Sequence, residues 1–201
     1  SLANYPELAL AGKIAAFCAN ARVMFLEETK EWRVAGDPTE AAMQVLAQKL
    51  GLKKDDLARA EPLLVDLPFN YKFQYHAAVH RSGRGEFLAV AGAPEAVLRL
   101  CLKIWRAGRS QPLDSEAKQK LELIFLEMSR HGLRVVALAE NRQAGKILKA
   151  EEASNLTFIG FLGMRDSLRP EAVEAIKKVT SANIRVVMIT GDHKNTAQAI
   201  A

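Results

Sequence analysis

The spacing of apolar residues divides the first part of the chain into helices. Residues 7–26 are rich in apolar side chains and are predicted to be helical in part. The clearest helix is predicted over residues 36–51, where Met43, Leu46 and Leu50 recur at helical spacing. An amphipathic helix with this pattern packs its apolar side on a core.

Both ends of this helix carry recognisable signals. Asp37 can cap the N-terminus, and Pro38 suits the first helical position. Glu40 lies three residues after the cap, so the pair is predicted to form a capping box. Gly51 suits the left-handed conformation that commonly follows a helix.

A strand-rich segment follows. Residues 63–91 are predicted to form strands, with "YHAAVH" and "EFLAVA" flanking "RSGRG" as a hairpin. A second helix is predicted over 92–101, and a third begins near Asp114 and stops at Gly132. Residues 133–139 have the apolar composition of a buried strand.

The pattern changes near residue 157. The stretch 156–164 is predicted to be a strand, 169–183 an amphipathic helix, and 184–189 a strand buried in a parallel sheet. A strand, a helix and a second strand form the right-handed crossover unit. The predicted fold class is therefore α/β (α+β), with an antiparallel sheet flanked by helices over residues 1–157 and a partial parallel βαβ unit over residues 158–201.

Composition narrows the class of protein but does not assign a function. The chain has 201 residues, of which 49% are hydrophobic, and no apolar run approaches the roughly 20 residues that span a bilayer. Its formal charge is +5, but the basic residues are interspersed with acidic ones and form no basic stripe. The sequence therefore gives no support for nucleic-acid binding. Cys18 and Cys101 stand in no metal or redox spacing, which fits reduced thiols.

The tripeptide Thr190-Gly191-Asp192 is a candidate phosphate-handling loop, because it follows the predicted strand and precedes a helix-like segment. Threonine and backbone N–H groups can bind phosphate oxygens, and an aspartate can position water or help to hold Mg²⁺. Small polar residues also occur at such turns for capping alone, so the tripeptide by itself decides nothing.

Several stretches occur in an order that resembles a known family: "GDPTEAA", "LPFN", "GAPEAVL", "GLRVVALA", "MRDSLRPE" and "VVMITGDHKNTAQAIA". Together they resemble the nucleotide-binding domain of P-type ATPases, most closely the type II cation pumps, from about residue 36 onward. The last part resembles the haloacid-dehalogenase-like phosphorylation domain. The resemblance implies an ATP-binding domain of a cation transporter, with Mg²⁺ arriving with ATP.

The resemblance implies roles for residues in these stretches. Phe69 matches the adenine-stacking position, Glu40 a glutamate near the adenine amino group, and Arg134 an arginine that reaches the phosphates. Gly92 lies where the family brings its backbone close to the adenosine. The sequence alone leaves a structural alternative open for each residue. Phe69 could be a core ring and Glu40 a capping-box acid. Arg134 could be an ordinary exposed arginine and Gly92 a helix-start glycine.

Two positions depart from the family pattern. Gln74 and Ala91 stand where the family has lysines that line the nucleotide pocket. Fewer positive charges predict weaker or altered nucleotide binding, although glutamine still forms hydrogen bonds, and Tyr71, Lys72 or His76 can compensate.

The connection between the predicted domains also carries candidate residues. Asp166 and Arg169 match residues that align the two domains around the γ-phosphate, with Ser167 and Leu168 in place of two family prolines. The alternative is an ordinary helix N-terminus with an acid near its dipole.

The resemblance also implies what surrounds this chain. The chain contains no Asp-Lys-Thr-Gly-Thr sequence, so we expect phosphorylation and ion movement to need the remaining phosphorylation, actuator and transmembrane domains of a parent pump. The expected location is a cytoplasmic domain of an integral membrane protein. The expected state is a monomer whose open sheet edge could pair with another copy.

Two other functions remain open at this level. A haloacid-dehalogenase-like phosphatase would also use a strand, Thr-Gly-Asp and a helix, but it needs a nucleophilic aspartate early in the chain, and "SLANYPELALAGK" has none. A regulatory module with a degenerate nucleotide pocket is the second alternative, supported by Gln74 and Ala91. The four histidines show no spacing typical of zinc, and His80 is expected on the hairpin surface.

Overall fold

The computed structural model describes residues 5–83, 85–142, 149, 152–165, 169–190 and 194–200. Its helices are α1 (Pro6–Phe17), α2 (Pro38–Lys49), α3 (Lys54–Ala60), α4 (Pro94–Leu100), α5 (Ser115–Arg130), α6 (Pro170–Ser181) and α7 (Lys194–Ile200). Its strands are β1 (Arg22–Leu26), β2 (Glu31–Ala35), β3 (Leu63–Asn70), β4 (Tyr75–Ser82), β5 (Gly85–Gly92), β6 (Cys101–Arg106), β7 (Arg109–Pro112), β8 (Arg134–Asn141) and β9 (Leu156–Met164).

A seven-stranded sheet in the order β3-β4-β5-β8-β9-β6-β7 organises the chain. Neighbouring strands are antiparallel except for β6 and β9, which are parallel. The predicted hairpin is confirmed, because β4 pairs with β5 from Tyr75 opposite Gly92 to Ser82 opposite Gly85. The mixed α/β class, with a sheet flanked by helices, is also confirmed.

Helices cover both faces of this sheet. On one face, α4 and α5 bury Val97, Leu98 and Leu121 against Val79 and Val90 of the sheet. On the other face, α1 buries Ile14 and Phe17, together with Met43 of α2, against strand residues such as Leu138. Burial of apolar area on both faces supplies the main stabilisation of such a three-layer arrangement.

The predicted helix ends are largely confirmed. The Asp37 carboxylate accepts hydrogen bonds from the backbone N–H groups of Thr39 (2.8 Å) and Glu40 (3.1 Å), as an N-cap should. Asp114 caps α5 in the same way, and Gly132 ends it with a φ of 74°. Only half of the predicted capping box forms: Asp37 accepts from the N–H of Glu40, but the Glu40 carboxylate bonds to the α1–β1 connection instead of to Asp37.

Some elements carry no clear sequence signal. The β1–β2 hairpin forms a separate two-stranded sheet, and its strands are largely exposed. The short helix α3 and the hairpin of β6 and β7 were likewise not predicted. In these segments tertiary contacts, rather than alternation of polar and apolar residues, decide the structure.

The predicted strand over 184–189 is wrong. Residues 184–190 adopt neither strand nor helix, and the side chain of Ile189 is 95% exposed. An apolar strand of this kind needs neighbouring strands on both sides, and none of the described strands pairs with it. The predicted helix α6 is present, but Val173 and Ile176 on its apolar side are exposed.

The strand β9 contains the predicted domain boundary between residues 157 and 158. It pairs with β8 along most of its length, from Met164 opposite Arg134 to Thr157 opposite Glu140, and with β6 on its other side. The division between residues 157 and 158 therefore falls inside a strand of the main sheet. The assignment of separate domains stays a prediction.

Among the described residues, none of the helices combines the length and the apolar character needed to cross a bilayer.

Candidate functional site

A cleft of about 890 Å³ opens at one end of the sheet. It lies between the start of α2, the end of β3, the β5–α4 junction and the start of β8. The residues that the family resemblance assigned to nucleotide binding line it together: Glu40, Phe69, Gln74, Gly92 and Arg134. A concave site of this size can hold a ligand of nucleotide dimensions.

Phe69 presents an open aromatic face to the cleft. Its side chain is 46% exposed, which excludes the alternative of a core phenylalanine. Tyr71 meets it edge-on at 5.5 Å between ring centroids and 90° between the planes. An exposed ring that is held from the side can stack on a planar ligand.

Glu40 is fixed through only one of its carboxylate oxygens. Oε2 accepts hydrogen bonds from the backbone N–H groups of Asn20 (2.7 Å) and Ala21 (3.0 Å). Oε1 lies 3.9 Å from Nδ1 of His76, which is beyond hydrogen-bond distance. The first oxygen therefore anchors the side chain to the α1–β1 connection, and the second can accept a hydrogen bond from a ligand.

Position 92 must be a glycine because the neighbouring strand β4 leaves no room for a Cβ atom. A Cβ atom at this position would lie 2.4 Å from the carbonyl oxygen of Gln74 and 2.4 Å from Cβ of Tyr75. The same Gln74 carbonyl accepts a hydrogen bond of 2.8 Å from the N–H of Ala93. The close approach thus joins two walls of the cleft.

Gln74 begins the β4 side of the cleft in a left-handed conformation, with a φ of 61°. Its N–H donates to the carbonyl of Asn70 at 2.6 Å, which closes the β3–β4 turn. Ala91, the other position that departs from the family pattern, is only 4% exposed and packs in the core under the cleft. A long side chain is therefore accommodated far more easily at position 74 than at position 91.

Arg134 lies at the opposite wall. Its Nη1 donates a 3.0 Å hydrogen bond to Oγ1 of Thr39 on α2. This contact holds the guanidinium at the start of β8, beside the N-terminal turn of α2. Arg134 and Arg99 both line the cleft and give it positive charge.

A polar network lies beneath Glu40. Nε2 of His76 is 2.6 Å from Oδ1 of Asp66, and Oδ2 of Asp66 accepts a 3.0 Å hydrogen bond from Nδ2 of Asn20. Nζ of Lys54 donates to the carbonyl of Ala19 and to Oδ1 of Asn20. Burial lowers the pKa of Lys54, and the nearby Asp66 and Glu40 carboxylates oppose that shift.

Other predicted site residues lie elsewhere. Arg169 is exposed at the start of α6, and Thr190 is exposed in the segment after it, and neither lines the cleft. Gly191, Asp192 and Asp166 lie outside the described residues. The predicted phosphate loop and domain connection therefore stay predictions.

Neither cysteine has the character of a nucleophile. Cys18 and Cys101 are buried free thiols. Burial raises the pKa of the Cys18 thiol far above its ordinary value, and burial raises the pKa of Cys101 to about 12. Within the described ranges, three or more histidine, cysteine, aspartate or glutamate side chains nowhere gather as a metal would require.

The expectation that His80 lies on the hairpin surface is wrong. Its ring is 3% exposed and stacks on Phe17 at 3.5 Å between centroids. Nδ1 contacts the carbonyl of Glu61 at 2.9 Å. Burial lowers the pKa of His80, and the Glu61 carbonyl opposes that shift. His80 lies four residues from His76 on β4, so both side chains point to the α1 side of the sheet.

Sequence reasoning missed Asp66 and Asn20, whose hydrogen bonds hold the cleft residues His76 and Glu40 in place. A signal existed for Asp66, because it is a charged residue within the apolar strand "LLVDLPF". Antiparallel pairing of β3 with β4 places it opposite Ala78, near His76. Asn20 has no comparable signal, because it lies in the short connection between α1 and β1.

The helix-flanked sheet with its open cleft defines an α/β domain, and comparison with known proteins identifies its family. The family model "P-type ATPase, cytoplasmic domain N" matches residues 7–171. The chain belongs to the P-type ATPase family.

Several curated relatives have related names. The chain is 38% identical over 176 residues to a cation-transporting ATPase of Synechocystis, a match that covers 85% of this chain and 19% of that protein. It is 35% identical to a probable cation-transporting ATPase F of Mycobacterium bovis, over 94% of this chain and 21% of the relative. It is 32% identical to a sodium/potassium-transporting ATPase alpha-1 subunit of Anguilla anguilla, over 94% of this chain and 20% of that relative. The chain thus spans about a fifth of the length of these relatives.

Proposed function

We propose that this chain is the ATP-binding domain of a cation-transporting P-type ATPase. It holds ATP so that the γ-phosphate can be transferred to an aspartate on an adjoining domain, and that transfer drives ion transport by the whole protein. Family membership and the names of the relatives support this assignment. The observation that carries it is the cleft shared by Glu40, Phe69, Gln74, Gly92 and Arg134.

The adenine end of the cleft is assigned to Phe69 and Glu40. Stacking of a base on an aromatic ring contributes about 1–3 kcal/mol in other proteins. Oε1 of Glu40 then accepts a hydrogen bond from the adenine amino group, because Oε2 is already engaged by the backbone of Asn20 and Ala21.

The phosphate end is assigned to Arg134. A guanidinium pairs well with phosphate oxygens, and the hydrogen bond to Thr39 restrains its position. Gln74 can donate a hydrogen bond from its side-chain amide, but it adds no charge. We therefore expect moderate affinity for ATP, with a smaller electrostatic share than a lysine at position 74 would give.

ATP fits the groups that line the cleft, which offers an exposed ring, a carboxylate oxygen and two arginines. Mg²⁺ is expected to arrive with ATP. The described residues present no cluster that could hold the ion by themselves, so no step is assigned to it. Transfer of the phosphoryl group depends on positioning and charge neutralisation, to which this domain contributes by placing the nucleotide.

The roles of the parent protein follow from the same proposal. The domain would work with phosphorylation, actuator and transmembrane domains, on the cytoplasmic side of a membrane. Thr190, Gly191 and Asp192 would lie on the phosphate side of the complete enzyme, and Asp166 and Arg169 in the connection between domains. The segment 158–201 is proposed to belong to the phosphorylation domain.

Isothermal titration calorimetry with ATP tests the binding function. The wild-type chain should bind ATP, and Phe69→Ala should weaken binding at least about fivefold, the lower end of the stacking range. Phe25→Ala is a matched control, since Phe25 is 40% exposed and its ring lies 5.2 Å from that of Trp32, away from the cleft. Equal losses in the two variants, or no binding by the wild type, would contradict the proposal.

The alternatives make different predictions. A degenerate regulatory module would not bind ATP, and Gln74→Lys would not restore binding. A haloacid-dehalogenase-like phosphatase would hydrolyse phosphate esters by itself, and the family match over residues 7–171 does not favour that function.

A further inference from the structure

The carboxylates around His76, beneath Glu40, indicate how the cleft could select its ligand. Two carboxylates flank the imidazole of His76, whose side chain is 3% exposed. Asp66 lies at hydrogen-bond distance from Nε2 (2.6 Å), whereas Glu40 lies 3.9 Å from Nδ1. The two sides of the ring are therefore not equivalent.

The Asp66 contact fixes the tautomer of the neutral ring. A carboxylate can only accept a hydrogen bond, so Nε2 must carry the proton that points to Oδ1. The neutral imidazole then presents a lone pair at Nδ1. This atom is buried and has no hydrogen-bond partner among the described residues.

The lone pair on Nδ1 faces another acceptor. Oε1 of Glu40 is the nearest carboxylate oxygen on that side, and two acceptors cannot bond to each other. Oε1 therefore finds no internal donor in His76. Since Oε2 is held by two backbone N–H groups, Oε1 is the oxygen of Glu40 that remains for a ligand.

We propose that Asp66 and His76 are positioning residues that select a 6-aminopurine over a 6-oxopurine. They act through Glu40, by withholding a donor from Oε1 so that this oxygen stays available as an acceptor. An exocyclic amino group on the purine can donate to Oε1, whereas a 6-oxo group would place a third acceptor there and meet repulsion. This inference rests on the proposed function, because it requires a purine nucleotide in the cleft.

The variant Asp66→Asn reverses the arrangement with minimal change of shape. The carbonyl of the introduced amide would keep the hydrogen bond from Nδ2 of Asn20, which now goes to Oδ2 of Asp66. The amino group of the introduced amide would then face Nε2 of His76 and donate to it. The imidazole proton would move to Nδ1, where it can form a charge-assisted hydrogen bond with Oε1 of Glu40.

Two measurements test the proposal on the intact chain. The first is the ¹⁵N NMR signature of the His76 ring in mildly alkaline solution, where an ordinary imidazole is neutral and its tautomers are distinguishable. The second is calorimetric titration in the same mildly alkaline solution with ATP and with inosine triphosphate, which carries a 6-oxo group. The ratio of the two affinities measures selection and is insensitive to a general loss of stability.

The expected result is a proton on Nε2 in the wild type and on Nδ1 in Asp66→Asn. The ATP preference over inosine triphosphate should fall about three- to tenfold in the variant, the range that a single hydrogen bond gives. Asp55→Asn is the matched control, because it makes the same chemical change at an exposed position on α3 outside the cleft. It should leave both the tautomer and the preference unchanged.

Other results would overturn the proposal. A proton on Nδ1 in the wild type, or an unchanged preference in an Asp66→Asn variant whose tautomer has switched, would remove the positioning role while ATP binding could persist. An equal fall of the preference in Asp55→Asn would do the same. If the wild type binds neither nucleotide, the proposed function fails and this inference fails with it.

Discussion

Two substitutions of Glu40 should separate its part in folding from its part in ligand binding. In the structure, Oε2 accepts hydrogen bonds from the N–H groups of Asn20 (2.7 Å) and Ala21 (3.0 Å), Oε1 lies 3.9 Å from Nδ1 of His76, and Glu40 lines the cleft. Glu40→Ala removes both functions. Glu40→Gln can keep the first with its carbonyl oxygen, and its amino group then points into the cleft toward Nδ1 of His76.

The magnitudes follow from these contacts. Hydrogen bonds to a charged acceptor contribute about 1.5–3 kcal/mol each when buried, and these two are partly exposed, so Glu40→Ala should lower the free energy of unfolding by about 2–4 kcal/mol. Glu40→Gln should lower it by about 1 kcal/mol or less, because the amide carbonyl replaces the carboxylate oxygen. Its amino group also supplies a donor to the orphaned Nδ1 of His76.

Binding should fall in both variants, because each of them removes the acceptor oxygen Oε1. Glu40→Gln would place an amide N–H donor opposite the purine amino group, which is itself a donor and needs an acceptor. ATP affinity should therefore fall about tenfold, which corresponds to about 1.4 kcal/mol. Urea-induced unfolding gives the stability of each variant, and calorimetric titration at a temperature where all are folded gives the affinity. The reasoning is refuted if Glu40→Gln binds ATP as tightly as the wild type, or if it is destabilised as strongly as Glu40→Ala.

Further predictions concern the walls of the cleft and the core beneath it. Gly92→Ala should lower the unfolding free energy by about 2–4 kcal/mol, because the added Cβ would meet backbone at 2.4 Å, whereas Gly85→Ala, with open space around it, should cost less than about 1 kcal/mol in the same urea experiment. Gln74→Lys should raise ATP affinity about three- to tenfold at low ionic strength with an unchanged melting temperature; a gain that persists at high salt would contradict an electrostatic origin. Burial lowers the pKa of His80, so its contribution to stability should be complete above its ordinary value of 6.5 and be lost as pH falls toward the lowered value; His80→Leu should flatten that part of a pH–stability curve, and an unchanged slope would contradict the assignment.

Local signals predicted the fold where the chain's own periodicity and caps determine it. The helix α2, its Asp37 cap and the β4–β5 hairpin follow from residues close together in sequence. The strand predicted at 184–189 failed because an apolar run indicates burial, and burial depends on neighbouring strands that the run itself does not specify. The β6–β7 hairpin was missed because its polar residues give no alternation.

The cleft itself could be predicted only through the family resemblance. Glu40 and Phe69 lie on different elements, and no spacing in the sequence brings them together. The resemblance assigned residues to the cleft, but not the way in which they are held. The capping-box spacing of Asp37 and Glu40 even suggested a wrong partner, because Asn20 and Ala21 reach the carboxylate only after α1 has packed beside α2.

The central claim is that ATP binds in this cleft, and an amide NMR titration tests it most directly. Adding ATP to millimolar concentration should shift the backbone amide signals of Glu40, Phe69 and Gln74 along one saturable curve, while the signal of Phe25 stays in place. Signals that remain unmoved around Glu40 and Phe69 at that concentration would contradict the claim.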